Sequence, residues 1–415
     1  MLSIFKKLLI SSLVVALSGM TSPAWSLDKS KFPKILDKCK VGSGLVVGLA
    51  GTTLKVLSCG PDGKLHVQSN QPPVDQSTGK VTNPNVDFTK APAVPAELSA
   101  DDGTGNMDFL IKGLKETRDR VSAGSETTLV TYFDARIPQG ARTAALKSAK
   151  AFMAAYGDLF EGKKKFYVVF TSTRNNAMAS YKKIAADESY PALLNEVKQG
   201  LKWNTKSPTS QEFIGASGIT GSPKDDFSLT TIFYGNSATF DRNRLFIIPG
   251  EMKHALFFSL TSGKTIKPCF LTPGNAGTFG AAFSYPGESD ESLLYTFARN
   301  HGAIDNAEGS PIFTSLDMGS LDGNSLKFLP GSECGVAHDF VVSAPAASYL
   351  VGKYGIAKEI SYLKAMGANP SNWEQIFTDT YGFTTAAFNT EARNFLIWYK
   401  NWYYKKIMKK AVPAK

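Results

Sequence analysis

Hydrophobic and polar positions change rhythm along this chain, and each rhythm predicts a different element. Leu8 to Leu17 is an apolar run behind Lys6 and Lys7, and Ala24-Trp25-Ser26 follows as a small-x-small cleavage site. That order predicts a secretory signal over residues 1–26 and a mature chain beginning near Leu27. The run is short for a membrane span, and no later stretch is long and apolar enough to cross a bilayer. The expected location is therefore periplasmic or secreted, with no transmembrane segment.

Val46 to Val56 mixes apolar, small and β-branched residues and reads as a strand. Gly60-Pro61-Asp62-Gly63 is a turn signal, and Lys64 to Val67 returns as a second strand. Residues 27–68 thus predict a small β-hairpin module, too short to hold a large core alone. Over residues 69–104 the large apolar residues thin out, and Pro72, Pro73, Pro84, Pro92 and Pro95 fall among polar residues and glycine. This reads as a disordered linker.

Residues 105–415 predict an α+β domain. Met107 to Val121 has helical spacing, with Phe109, Leu110, Leu114 and Val121 on one side. Thr127–Phe133, Lys165–Thr171 and Phe227–Tyr234 read as strands, and Ala141–Phe160 and Asn175–Leu201 as helices. Leu245 to Ile248 is a short apolar run. Pro249 then sits where a helix favours proline, just inside its start. From Asp339 onward the pattern is nearly all helical.

Charge and cysteine content refine this picture. The net charge is +10, and removing the signal with Lys6 and Lys7 leaves +8. The basic residues are mostly dispersed, whereas a nucleic-acid footprint clusters them with aromatics on one face. The nearest approach is Trp398 to Lys406, best read as a final amphipathic helix with its aromatics turned inward. An interfacial membrane contact is the lesser reading. Four cysteines, Cys39, Cys59, Cys269 and Cys334, in an exported chain predict disulfides. Of the three possible pairings, Cys39–Cys59 with Cys269–Cys334 keeps each bridge inside one candidate domain.

The candidate chemistry lies at Gly250-Glu251-Met252-Lys253-His254, an H-E-x-x-H pattern whose first histidine is glycine. Hydrolytic zinc needs two histidines one helical turn apart and a carboxylate beside the metal-bound water. Glu251 and His254 have that spacing, but Gly250 has no ligand to offer. Without metal, His254 among Ala255, Leu256, Phe257 and Phe258 reads as a buried or half-buried helix histidine. Glu251 reads as a carboxylate favoured in the first helical turn. Serine chemistry finds no G-x-S-x-G, since Gly215-Ala216-Ser217-Gly218 and Gly309-Ser310-Pro311 read as turns.

On these residues the chain, over roughly 127 to 405, resembles the gluzincin-type zinc peptidases, especially small bacterial peptidase MA-like domains. Further points of similarity are Ala347-Ser348-Tyr349-Leu350-Val351-Gly352-Lys353-Tyr354-Gly355, then Trp373-Glu374-Gln375-Ile376-Phe377, then Tyr381-Gly382-Phe383. The resemblance implies a zincin-like fold with a helical C-terminal part. It also implies a glutamate ligand in a downstream E-G-x-A segment. At the matching place stands Gly274-Asn275-Ala276-Gly277, with no carboxylate. The expectation is therefore a non-catalytic protein with no metal, whose cleft binds a peptide, glycan or protein partner. The alternative is an active zinc metallopeptidase, with Glu251 as catalytic base, His254 as metal ligand and others relocated to Glu288, Asp290, Glu291, His301 or His338-Asp339. A third possibility gives the function to the 27–68 module, as a binder of the cell envelope.

Overall fold

The computed structural model describes residues 45–49, 52–59, 65–68, 103–171, 174–195, 218–224, 226–233, 245–268, 270–301 and 337–407, with a few positions between 90 and 98. The proposed signal segment lies outside these residues. So do Cys39, Cys269 and Cys334, and with them both proposed disulfides.

The N-terminal module has one strand more than its rhythm predicts. The single strand expected over Val46–Val56 is two, β1 (Leu45–Leu49) and β2 (Thr52–Cys59), paired antiparallel with Leu49 opposite Thr52. Both arms are rich in valine and leucine, so the apolar pattern runs through the reversal without marking it. The third strand, β3 (Leu65–Gln68), pairs with β2 as the Gly60–Gly63 signal implies.

The main domain mixes helix and sheet, broadly α+β. Its sheet has the order β4-β5-β7-β6, formed by β4 (Thr128–Phe133), β5 (Lys165–Thr171), β6 (Gly218–Lys224) and β7 (Phe227–Phe233). β4, β5 and β7 run parallel, and β6 is an antiparallel edge strand. Sequence rhythm finds three of these strands and misses β6, reading Gly218 as part of a turn. Gly-Ile-Thr-Gly-Ser-Pro-Lys has little strand propensity, and only pairing with β7 makes it a strand. Its Pro223 is tolerated because the strand is at the edge and its register slips between Gly221 and Lys224.

Both faces of the sheet are covered. On one face Tyr167, Val169, Phe227 and Leu229 pack with Ala177, Tyr181 and Ile184 of helix α3 (Arg174–Asp187), and Tyr181 donates its hydroxyl proton to Thr231. The opposite face, with Phe166, Val168, Phe170 and Ile232, joins the large helical core. That core holds α1 (Asn106–Arg118), α2 (Gln139–Tyr156), α4 (Ile247–Leu260), α5 (Leu271–Ser284) and α6 (Asp290–His301). It continues through α7 (Ala337–Tyr354), α8 (Ile356–Ala368), α9 (Trp373–Tyr381) and α10 (Thr385–Lys406).

Several expectations shift at element ends. Helix α1 stops at Arg118, three residues before Val121, which is 87% exposed rather than part of the apolar stripe. The Leu245–Ile248 run is the start of α4 and not a separate element. Leu98 is fully buried, and Ala91 and Val94 lie against the same core, so the end of the proline-rich stretch reaches the main domain. In α10 the side chains of Tyr399, Trp402 and Tyr403 are buried, as expected for aromatics turned inward. Among the described residues, no helix is long and apolar enough to cross a membrane.

Candidate functional site

Helix α4 carries the incomplete motif and is apolar almost all round. Ile247, Ile248, Met252, Ala255, Leu256, Phe257 and Leu260 are all buried. A helix of this kind sits inside a protein rather than on its surface. Glu251 and Lys253 are carried inward with it, at 6% and 0% exposure, and His254 is half-buried. Because α4 begins at Ile247, Glu251 lies beyond the first turn. The helix-end role expected for it therefore does not apply, and its burial among charged neighbours needs another reason.

The two positions that would complete a zinc site are both closed by backbone. A Cβ built on Gly250 would stand 3.0 Å from the carbonyl oxygen of Ala276 on α5, so the two helices meet there without side chains between them. A Cβ on Gly274, the position matching the third ligand, would stand 2.4 Å from the carbonyl oxygen of Ser343 on α7. Gly250 therefore faces α5, whereas Gly274 faces away toward α7. The two positions do not converge on one point; Gly274 has no room for a side chain, and at Gly250 even a Cβ would press on the Ala276 carbonyl.

Between them the structure places a polar cluster that the motif alone does not announce. The Lys253 Nζ donates to the carbonyl oxygen of Thr272 in the first turn of α5 and lies 3.3 Å from His254 Nδ1. It also stands 4.6 Å from the centre of the Phe257 ring, within the range of a cation–π contact. One turn along α5, the fully buried Asn275 donates its Nδ2 protons to the Leu271 carbonyl at 3.0 Å and to Oε1 of Glu359 on α8. Glu359 is 1% exposed. Asn275 Oδ1 and Glu359 Oε2 have no hydrogen-bond partner among the described residues.

Burial dominates the protonation of this cluster. It lowers the Lys253 pKa from its ordinary 10.5 to about 7, against the attraction of Glu251 and Glu359. It raises Glu359 from 4.5 to about 7, partly offset by the Asn275 hydrogen bond and by Lys253. The His254 imidazole is held well below its usual value by burial and then by the Lys253 charge. A neutral His254 carrying its proton on Nε2 would accept at Nδ1 from the ammonium.

The remaining candidates are engaged elsewhere. Asp290 binds Lys115 at 2.8 Å and Arg118 at 3.3 Å, both on α1. Glu288 and Glu291 are exposed, and His301 is the last residue of α6. The side chains of His301, His338 and Asp339 lie outside the described residues. Among the described residues, no three His, Cys, Asp or Glu side chains are grouped so as to hold a metal ion. The donors present do not fit zinc: two ligand positions are closed by backbone, and the remaining histidine sits beside a buried ammonium. Two unit charges 4 Å apart repel by about 4 kcal/mol at a typical protein dielectric, and a divalent ion would face twice that charge.

Sequence reasoning passed over Lys253, Asn275 and Glu359. Lys253 had a signal, a lone charge inside an apolar helical run. Glu359 had none, because Ile356-Ala357-Lys358-Glu359-Ile360 has the look of a surface helix. No family model matches the chain, and no curated protein or solved structure matches it either.

Proposed function

We propose that this is an exported, non-catalytic protein on a metallopeptidase-like fold, acting by binding a peptide, a glycan or a protein partner rather than by hydrolysis. The observation that carries this reading is the closure of both absent-ligand positions, Gly250 against Ala276 and Gly274 against Ser343. A chain that had only exchanged its ligands would keep space between α4 and α5 for them. Here α4 and α5 stand in close backbone approach at Gly250. The apolar motif helix beside a mixed sheet, followed by a helical C-terminal part, supports the likeness to the gluzincin-type domains.

The test is metal content and activity of the purified mature protein. After dialysis against a weak chelator, the expected zinc content is far below one per chain, with no peptide hydrolysis. Stoichiometric zinc, with peptidase activity that His254→Ala and Glu251→Gln both abolish, would instead establish a metallopeptidase with relocated ligands.

A further inference from the structure

We propose that Lys253 is the built-in cation of this centre. Its ammonium, supplied by the chain itself, joins α4 to α5 beside Glu359 of α8, which Asn275 holds to α5, and takes the role that a metal has in a motif of this spacing. The proposal rests on the reading of the site as non-catalytic and says what holds that site together.

The geometry carries it in steps. A lysine at 0% exposure inside an apolar helix is costly unless its charge is answered. The answering groups come from each helix around it. From α4 come the charge of Glu251 acting through space, Nδ1 of His254 at 3.3 Å and the face of Phe257. From α5 comes the Thr272 carbonyl. From α8 comes Glu359, whose charge acts on Lys253 and whose Oε1 is fixed by Asn275. Thr272 and Asn275 are about one turn apart on α5, so the lysine and the glutamate are tied to adjacent turns of the same helix. Glu359 Oε2 and Asn275 Oδ1 have no hydrogen-bond partner among the described residues, so Lys253 and Glu359 act on each other through space and not by a direct hydrogen bond.

Metal sites and buried lysines solve the same electrostatic problem in different ways. Each sets a positive charge among carboxylate and imidazole groups from different helices, and each fixes those helices relative to one another. A metal needs ligand atoms at about 2 Å in a set geometry. An ammonium needs acceptors at hydrogen-bond distance, which carbonyls of helix backbones can provide. The close backbone approach at Gly250 suits the second solution.

The experiment is a double-mutant cycle read by thermal unfolding of the full mature chain, with Lys253→Met, Glu359→Gln and the pair combined. Glutamine keeps the acceptor for Asn275, so Glu359→Gln is expected to fold. Each single variant lowers Tm, and the double variant loses less than the sum of the two by about 3 °C or more, the mark of two groups that answer each other. Added zinc and added chelator leave the wild-type Tm unchanged. If Lys253→Met does not fold alone, Glu359→Gln must restore folding to it. Additive losses, or a double variant that folds no better than Lys253→Met, would overturn the built-in cation and leave the non-catalytic reading standing. A chelator-reversible rise in Tm with stoichiometric zinc would also overturn it, whereas zinc-dependent hydrolysis by the wild type would overturn that reading as well.

Discussion

Two helix crossings in the main domain use glycine in the same way and end in opposite chemistry. Where α1 crosses α7, a Cβ on Gly113 would stand 1.9 Å from the Ser348 carbonyl oxygen, and a Cβ on Gly352 would stand 1.9 Å from that of Phe109. The surroundings are apolar, with Leu110, Leu114, Leu350 and Val351 buried alongside. Where α4 crosses α5, Gly250 meets Ala276 less tightly, at 3.0 Å, and within one turn the crossing holds Glu251, Lys253 and His254, with the charge of Glu359 on α8 acting on Lys253. Close backbone approach is thus neutral as to function. It gives dispersion contact in one place and an enclosure for charge in the other.

The sharpest break in the comparison comes from the charged crossing. Lys253→Met leaves two buried carboxylates without their cation and should cost about 3–5 kcal/mol in denaturant unfolding. An equal loss on substituting a similarly buried uncharged polar residue such as Thr278 would mean that charge adds nothing special there. The dry crossing should break nearly as hard. Gly352→Ala forces a methyl group into the Phe109 carbonyl, so α1 and α7 must separate, at about 3 kcal/mol or somewhat more.

A pH scan sharpens the comparison without altering packing. The Glu359 pKa is raised from 4.5 to about 7, so the folded state binds its proton more tightly than the unfolded chain. Its contribution is full below pH 4.5 and is lost as pH rises through 7, on the order of 3 kcal/mol at most. Glu359→Gln should flatten that fall, whereas Gly352→Ala should leave it in place. A milder change is Gly250→Ala, whose methyl would sit 3.0 Å from the Ala276 carbonyl. A shift of a few tenths of an ångström relieves it, for about 1 kcal/mol. Smallest of all is Lys364→Ala, which removes the exposed ion pair with Glu161 and should change stability by less than about 1 kcal/mol. A larger loss there would show that surface charge, and not burial, sets the scale of the other effects.

Much of the frame was legible in the sequence because it rests on local periodicity. Strand β5 falls at Lys165–Thr171 as its unbroken apolar run predicts, and β7 matches to within a residue. The helical C-terminal part follows from its apolar spacing. Glu251 and His254 were also legible, as a spacing without a first histidine. Strand β6 was not, because its pairing with β7 and not its composition makes it a strand. Nor was the partner of the motif: 106 positions separate Lys253 from Glu359, and no pattern along the chain ties one to the other.

The sequence by itself determined most of the helices and strands of the main domain, and it determined that the H-E-x-x-H spacing lacks its first histidine, because side-chain chemistry and period are local properties. Only the tertiary structure decided what became of the missing places. Whether a glycine leaves a space or admits a neighbouring backbone depends on how close another helix comes, and here α5 and α7 come within contact distance at Gly250 and Gly274. Likewise, a lysine in an apolar helix is a liability or an anchor according to what faces it. The carbonyl of Thr272 reaches Lys253, and the charge of Glu359 acts on it through space, only because α5 and α8 pack against α4.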